Sequence, residues 1–224
     1  MNNLLTGLHQ FHNRFGRERE FYSKLAAGQH PSALFIGCSD SRVDPSIITQ
    51  TGLGELFVMR NAGNIVPCYG ASNGGEPATI EYAVSALGVK DIIVCGHSGC
   101  GAIQAMLHPE TMAKLPSVKS WLNHAEATRQ IILENYPKLT GEDQLAAAVR
   151  EHVLVQIENL QTHPAVAVQL QRGELTLHAW IYRMQTGEVL AYSSDDGKFT
   201  ALTSLPPEEA GKRKVSNPRQ AKKK

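Results

Sequence analysis

The tightest constraint on the fold comes from two short apolar runs that each stop at reactive side chains. SALFIG (32–37) follows Pro31, has strand character, and is followed directly by Cys38. DIIVC (91–95) lacks the polar alternation of a half-exposed strand, so it belongs inside a sheet covered on both faces; it leads into His97 and Cys100. GELFVMRN (54–61) is a further candidate strand. After GGEP (74–77), Ile80, Ala83, Val84 and Leu87 recur at the helical period, and Gly88 supplies the stop. Two longer helical stretches follow, at roughly 117–135 and 142–161, the second with Leu145, Val149, His152, Val153, Gln156 and Leu160 on one face. LTLHAWIY (175–182) and EVLAY (188–192) flank Gln185-Thr186-Gly187 as strand, turn and strand. This alternation predicts an α/β fold with a largely parallel central β-sheet flanked by helices. Ligands of such sheets bind at the carboxyl ends of the strands, which is where Cys38, His97 and Cys100 fall.

Two segments stand apart from that body. Leu4, Leu5, Leu8, Phe11, His12 and Phe15 recur at three- and four-residue intervals, predicting an amphipathic N-terminal helix whose stripe needs a partner, in its own chain or a second subunit. At the other end, 206–224 hold seven basic and two acidic residues, whereas the whole chain is close to neutral at +1. With no apolar periodicity, this tail is expected to be disordered. It is read either as solubilising or as a dock for an acidic partner or nucleic acid. The expected organisation is one domain over 1–205, with a helical arm over 1–30, and a basic tail over 206–224. The near-neutral charge gives the chain as a whole no electrostatic preference for nucleic acid or an anionic membrane. No apolar run approaches about 18 residues, which excludes a spanning helix, and the first residues lack the pattern of a secretory signal. Four cysteines in 224 residues are far from the density of a disulfide scaffold.

The chemistry lies in GCSDSRVDP (37–45) and CGHSGCGA (95–102). A tight turn brings His97 and Cys100 to one point, and Cys38 at a second strand end adds a third donor. Two thiolates and an imidazole suit zinc, and three ligands leave the fourth tetrahedral position open for chemistry. Cys95, within a strand, is expected to point away, and Cys68 in VPCYG has no partner spacing. Spacing alone leaves other readings open: buried cysteines acting as small apolar side chains, or thiol redox chemistry including a Cys38–Cys100 disulfide. GHSGCG also has the glycines of an anion cradle, but it lacks the GK[ST] ending, and no GxGxxG occurs.

CSDSR at 38–42 followed by HSGCG at 97–101 resembles the β-class carbonic anhydrases, in particular the bacterial and cyanobacterial branch. The similarity continues through RNAGNIVP (60–67), GGEPATIEYAV (74–84), ENLQTHPAV (158–166) and LHAWIY (177–182). The resemblance implies a zinc enzyme, with one Zn²⁺ per chain, that interconverts carbon dioxide and bicarbonate. It implies Cys38, His97 and Cys100 as metal ligands, Asp40 and Arg42 as the carboxylate–guanidinium pair beside the metal, and a homodimer or larger even-numbered assembly. Its expected location is the cytoplasm, or the carboxysome in a cyanobacterium. Asp40 then has two partners available, Arg42 or the metal itself. Plant-type members place a pocket glutamine where Gly52 stands here, with Gln50 two residues earlier. Some bacterial members hold an inhibitory bicarbonate with a Trp, an Arg and a Tyr; here Phe35 stands at the Trp position, with Arg60 and Tyr182 present. The alternative function is a non-catalytic zinc-binding or carbon-dioxide-sensing module on the same fold. A zinc deaminase would carry HxE where Ser98 and Gly99 follow His97, and an alcohol dehydrogenase would need the missing nicotinamide fingerprint.

Overall fold

The structure is a computed structural model that describes residues 1–202; the basic tail at 206–224 lies outside the described residues. Its strands are β1 (Ala33–Cys38), β2 (Leu56–Asn61), β3 (Asp91–His97), β4 (Thr176–Tyr182), β5 (Val189–Ser193) and β6 (Lys198–Ala201). They form one sheet in the order β2-β1-β3-β4-β5-β6. The first four in that order are parallel, and β5 and β6 add antiparallel pairs at one edge. The predicted α/β architecture is therefore what the chain forms. β1 is buried throughout and β3 from Ile92 onward, as unbroken apolar runs in the middle of a covered sheet require.

The helices are α1 (Asn2–Arg17), α2 (Arg19–Ala26), α3 (Pro45–Thr49), α4 (Gly75–Glu81), α5 (Gly101–Leu107), α6 (Pro116–Leu122), α7 (Glu126–Asn135), α8 (Gly141–Gln161) and α9 (Pro164–Arg172). The stretch expected as one helix at 117–135 is two, α6 and α7, separated by a 3-10 turn at Asn123–Ala125. The helix after Gly74 ends in a π-turn over Tyr82–Ala86, and Gly88 takes the left-handed conformation at its end (φ 68°). No described helix is long and apolar enough to cross a membrane.

α8 lies closest to the sheet. Val149, Val153, Ile157 and Leu160 pack into one cluster with Leu34, Ile36, Ile92 and Val94. The approach depends on Gly96, where a Cβ would lie 2.7 Å from Val153 Cγ2 and 3.2 Å from Val149 Cγ1. The opposite face carries a smaller cluster of Ala33, Phe35, Ile93 and Cys95 with Leu56, Trp180 and Tyr182. α1 behaves differently. None of its residues is buried, and Leu4, Leu5, Leu8, Phe11 and Phe15 are exposed. Only its aromatic end is engaged, Phe15 stacking on Tyr22 of α2 with ring centroids 4.7 Å apart.

Candidate metal centre

Parallel pairing brings the ends of β1 and β3 to one level, with Gly37 opposite Cys95. Cys38 closes β1, His97 closes β3, and Cys100 is the N-cap of α5. Their donor atoms lie within 4.8 Å of one another, all three residues buried. His97 Nδ1 is 3.0 Å from the Ser98 carbonyl oxygen. A carbonyl only accepts, so Nδ1 carries the hydrogen and Nε2 keeps its lone pair. That Nε2 is buried with no hydrogen-bond partner, a costly arrangement unless an electron-pair acceptor sits beside it. The two sulfurs are 4.0 Å apart. Two sulfurs on one tetrahedral zinc, each at about 2.3 Å, would stand roughly 3.8 Å apart. The three residues fit zinc in donor type and in spacing, and the cysteines are free thiols rather than a disulfide.

The two thiols titrate as a pair. Hydrogen bonding from Cys100, then from the Gly63 amide, holds Cys38 toward its thiolate, while sharing with Cys38 and burial push Cys100 up. Cys95 points to the opposite face, as expected, and burial raises its thiol to about 12. Cys68 is exposed and donates to Asn159 Oδ1.

Asp40 sits on Arg42. Arg42 Nε donates to Oδ1 at 2.9 Å, Nη2 to Oδ2 at 2.8 Å, and the Arg42 amide to Oδ1 at 3.0 Å. This bidentate contact holds the Asp40 carboxyl well below the usual carboxylate range. Arg60 anchors the same turn by donating to the carbonyls of Cys38 (2.9 Å) and Asp40 (2.8 Å). Asp44 then caps α3, accepting from the amides of Ser46 and Ile47.

A third segment completes the surroundings. Between β2 and α4 the chain runs through 62–68 without a sheet partner, and buried or half-buried side chains satisfy its backbone instead. Asn61 brackets Ile65, accepting from its N–H and donating to its C=O, both at 2.8 Å. Gln156 accepts from the Val66 amide and Asn159 donates to the Val66 carbonyl, both at 2.8 Å. His152 holds the Gly63 carbonyl, and Trp121 holds that of Ala62. The Gly63 N–H reaches Cys38 Sγ at 3.4 Å.

The structure brings together all three expected ligands and the Asp40–Arg42 pair. Phe35 packs into the smaller core cluster with Tyr182, while Arg60 is engaged by the two carbonyls. Gln50 is turned back on α3, donating to the Ile47 carbonyl, and the Gly52 amide donates to Glu55. Sequence reasoning missed Gly63, Trp121 and the anchoring role of Arg60. The available signal was polar His152 and Gln156 within an otherwise apolar helix face.

Known proteins resemble this chain in sequence and in fold. Residues 33–189 match the family model described as carbonic anhydrase. The chain is 52% identical to a carbonic anhydrase of Synechocystis sp. over 215 residues, covering 93% of this chain and 78% of that protein. The solved β-carbonic anhydrase CcaA superposes with a TM-score of 0.88 at 53% identity, covering 90% of this chain and 91% of that one. One of two β-carbonic anhydrases from Sordaria macrospora, described as tetrameric, superposes with a TM-score of 0.76 at 29% identity, covering 89% and 98%.

Proposed function

The chain belongs to the β-class carbonic anhydrases, and from that membership we propose that Cys38, His97 and Cys100 hold one zinc ion for the hydration of carbon dioxide to bicarbonate. The observation that carries the zinc assignment is the buried His97 Nε2, without a hydrogen-bond partner and grouped with two sulfurs 4.0 Å apart. A zinc ion so held supplies Lewis acidity, making water a nucleophile near neutral pH.

The chain's own residues do the remaining work. The Ser98 carbonyl fixes the His97 tautomer, so the ring presents its lone pair without rotating. Asp40 is the acceptor at the rim. Arg42 keeps it ionised; Oδ1 accepts twice from Arg42, and Oδ2, which accepts once, still has a free lone-pair direction. Asp40 therefore takes a hydrogen bond from the attacking water and fixes the direction of its remaining lone pair toward carbon dioxide. Arg60 acts through the backbone: by holding the carbonyls of Cys38 and Asp40 it sets the distance between ligand and acceptor. We also propose that the apolar stripe of α1 packs on a second copy in a dimer or larger even-numbered assembly. The exposed stripe and the tetrameric relatives from Sordaria support this.

Elemental analysis and stopped-flow hydration on the purified chain test the reading together. About one zinc per chain with rapid hydration is expected, and Cys38→Ala should lose both. Full zinc occupancy in Cys38→Ala would overturn the ligand assignment.

A further inference from the structure

The two candidate sulfur ligands are not in equivalent surroundings. Cys100 is the N-cap residue of α5, so it stands at the positive end of that helix. Cys38 ends a strand and has no helix behind it. Its sulfur is served instead by the Gly63 amide, which comes from a loop 25 residues away.

That loop amide is held from both sides. The peptide joining Ala62 to Gly63 accepts from Trp121 Nε1 at 2.8 Å on its carbonyl and donates to Cys38 Sγ at 3.4 Å through its N–H. A donor on the carbonyl polarises the peptide and strengthens the bond its N–H makes. The next peptide is fixed as well, since the Gly63 carbonyl lies 2.8 Å from His152 Nε2. Nε2 must be the donor there, which leaves Nδ1 to accept from Thr128 Oγ1 and Gln156 Nε2, each at 3.3 Å. His152, Thr128 and Gln156 are all buried, so this tautomer is shielded from water. Gly63 itself has φ 83°, and a Cβ there would come within 3.1 Å of the Ala102 Cβ on α5, so another residue type would be strained at this position.

We infer that Trp121 and His152 are positioning residues for the metal centre: they lock the peptides on either side of Gly63, so that its N–H stays on the Cys38 sulfur and draws charge from it. This rests on the zinc-site reading above. Two thiolates cancel the formal charge of a divalent ion, and a hydrogen bond to sulfur weakens that donation, leaving the ion more electron-poor. The Gly63 loop thus gives the strand-end thiolate what the helix N-terminus gives Cys100.

The test uses the full chain loaded with cobalt(II), reading the sulfur-to-cobalt charge-transfer absorption and the cobalt affinity by chelator competition. Trp121→Phe keeps the ring and loses the N–H, His152→Leu loses the imidazole donor, and His152→Gln restores an N–H donor. Trp121→Phe should move the band to lower energy, because sulfur donation strengthens, and weaken cobalt binding about tenfold, because the loop no longer holds Cys38 in place. His152→Leu should do the same more strongly, and His152→Gln should move both readings back toward the unaltered chain. Should His152→Leu fail to fold, Trp121→Phe decides alone. A folded Trp121→Phe with the band and affinity of the unaltered chain overturns the inference. If the unaltered chain shows no such band, or Cys38→Ala keeps it at full strength, the zinc-site reading fails instead.

Discussion

The metal centre and the N-terminal arm solve opposite problems. Around the centre, polar backbone is buried, and side chains of the same chain pair with it: Asn61, Trp121, His152, Gln156 and Asn159 all reach into one loop. Along α1, apolar side chains are exposed and the same chain covers none of them fully. The difference teaches where each requirement is met. The ligand geometry is complete within one chain, whereas the arm's stripe, at about 25 cal/mol per Å² of apolar surface, gains its stabilisation only against another surface. Substitutions in one region should therefore leave the other intact.

The largest effect belongs to the rim of the centre. Asp40→Asn keeps the size of the side chain but loses the charged partner of Arg42, and hydration should fall roughly 10²-fold as the nucleophile loses its orientation. Zinc content and assembly size should stay unchanged; an Asp40→Asn chain at full rate would remove Asp40 from the chemistry. Next comes the arm. Replacing Leu8 or Phe11 by Glu should cost about 2 kcal/mol per lost contact, roughly thirtyfold in association, and shift sedimentation toward smaller species. Zinc content should not change, and an assembly that survives both substitutions would show that α1 lies elsewhere.

The effect with the least bearing on activity or assembly at neutral pH is on acid stability, through His152. Burial holds its folded-state pKa down at about 4, against 6.5 in the unfolded chain. It faces Thr128 from α7, Gln156 on its own helix, the Gly63 carbonyl and the Cys38 charge. The unfolded chain takes up this proton first as pH falls, so the stabilisation is fully present above about 6.5 and is lost between about 6.5 and 4. The loss is on the order of 3 kcal/mol. Protonation of the metal ligands is common to the unaltered chain and His152→Gln. The stability difference between the two should therefore narrow across that window, and a difference independent of pH would contradict the buried neutral imidazole.

What could be read in the sequence was local. Cys38 and His97 follow their strands directly, so finding the strands located the site, and the HSGC spacing did the rest. The break between α6 and α7 was not readable, because apolar periodicity continues through Asn123–Ala125 while the helical hydrogen bonds do not. β6 has four residues and little pattern, and α9 is short although Pro164 and Gly173 mark its ends. The loop clamp was hidden for another reason. His152 and Gln156 meet their partners 89 and 90 residues away, and only the fold makes those pairs neighbours.

One further consequence follows from where the ligands lie along the chain. Cys38 and Cys100 are 62 residues apart and enclose β2, the Gly63 loop and β3. An ion joining them is a cross-link, and by chain-entropy reasoning closing a loop of that size removes about 4 kcal/mol of freedom from the unfolded ensemble. Much of that advantage is absent until both strands have found their register, because the unfolded chain rarely brings the three donors together. The metal would thus act as a latch on the finished sheet rather than a seed for it, and would slow unfolding more than it speeds folding.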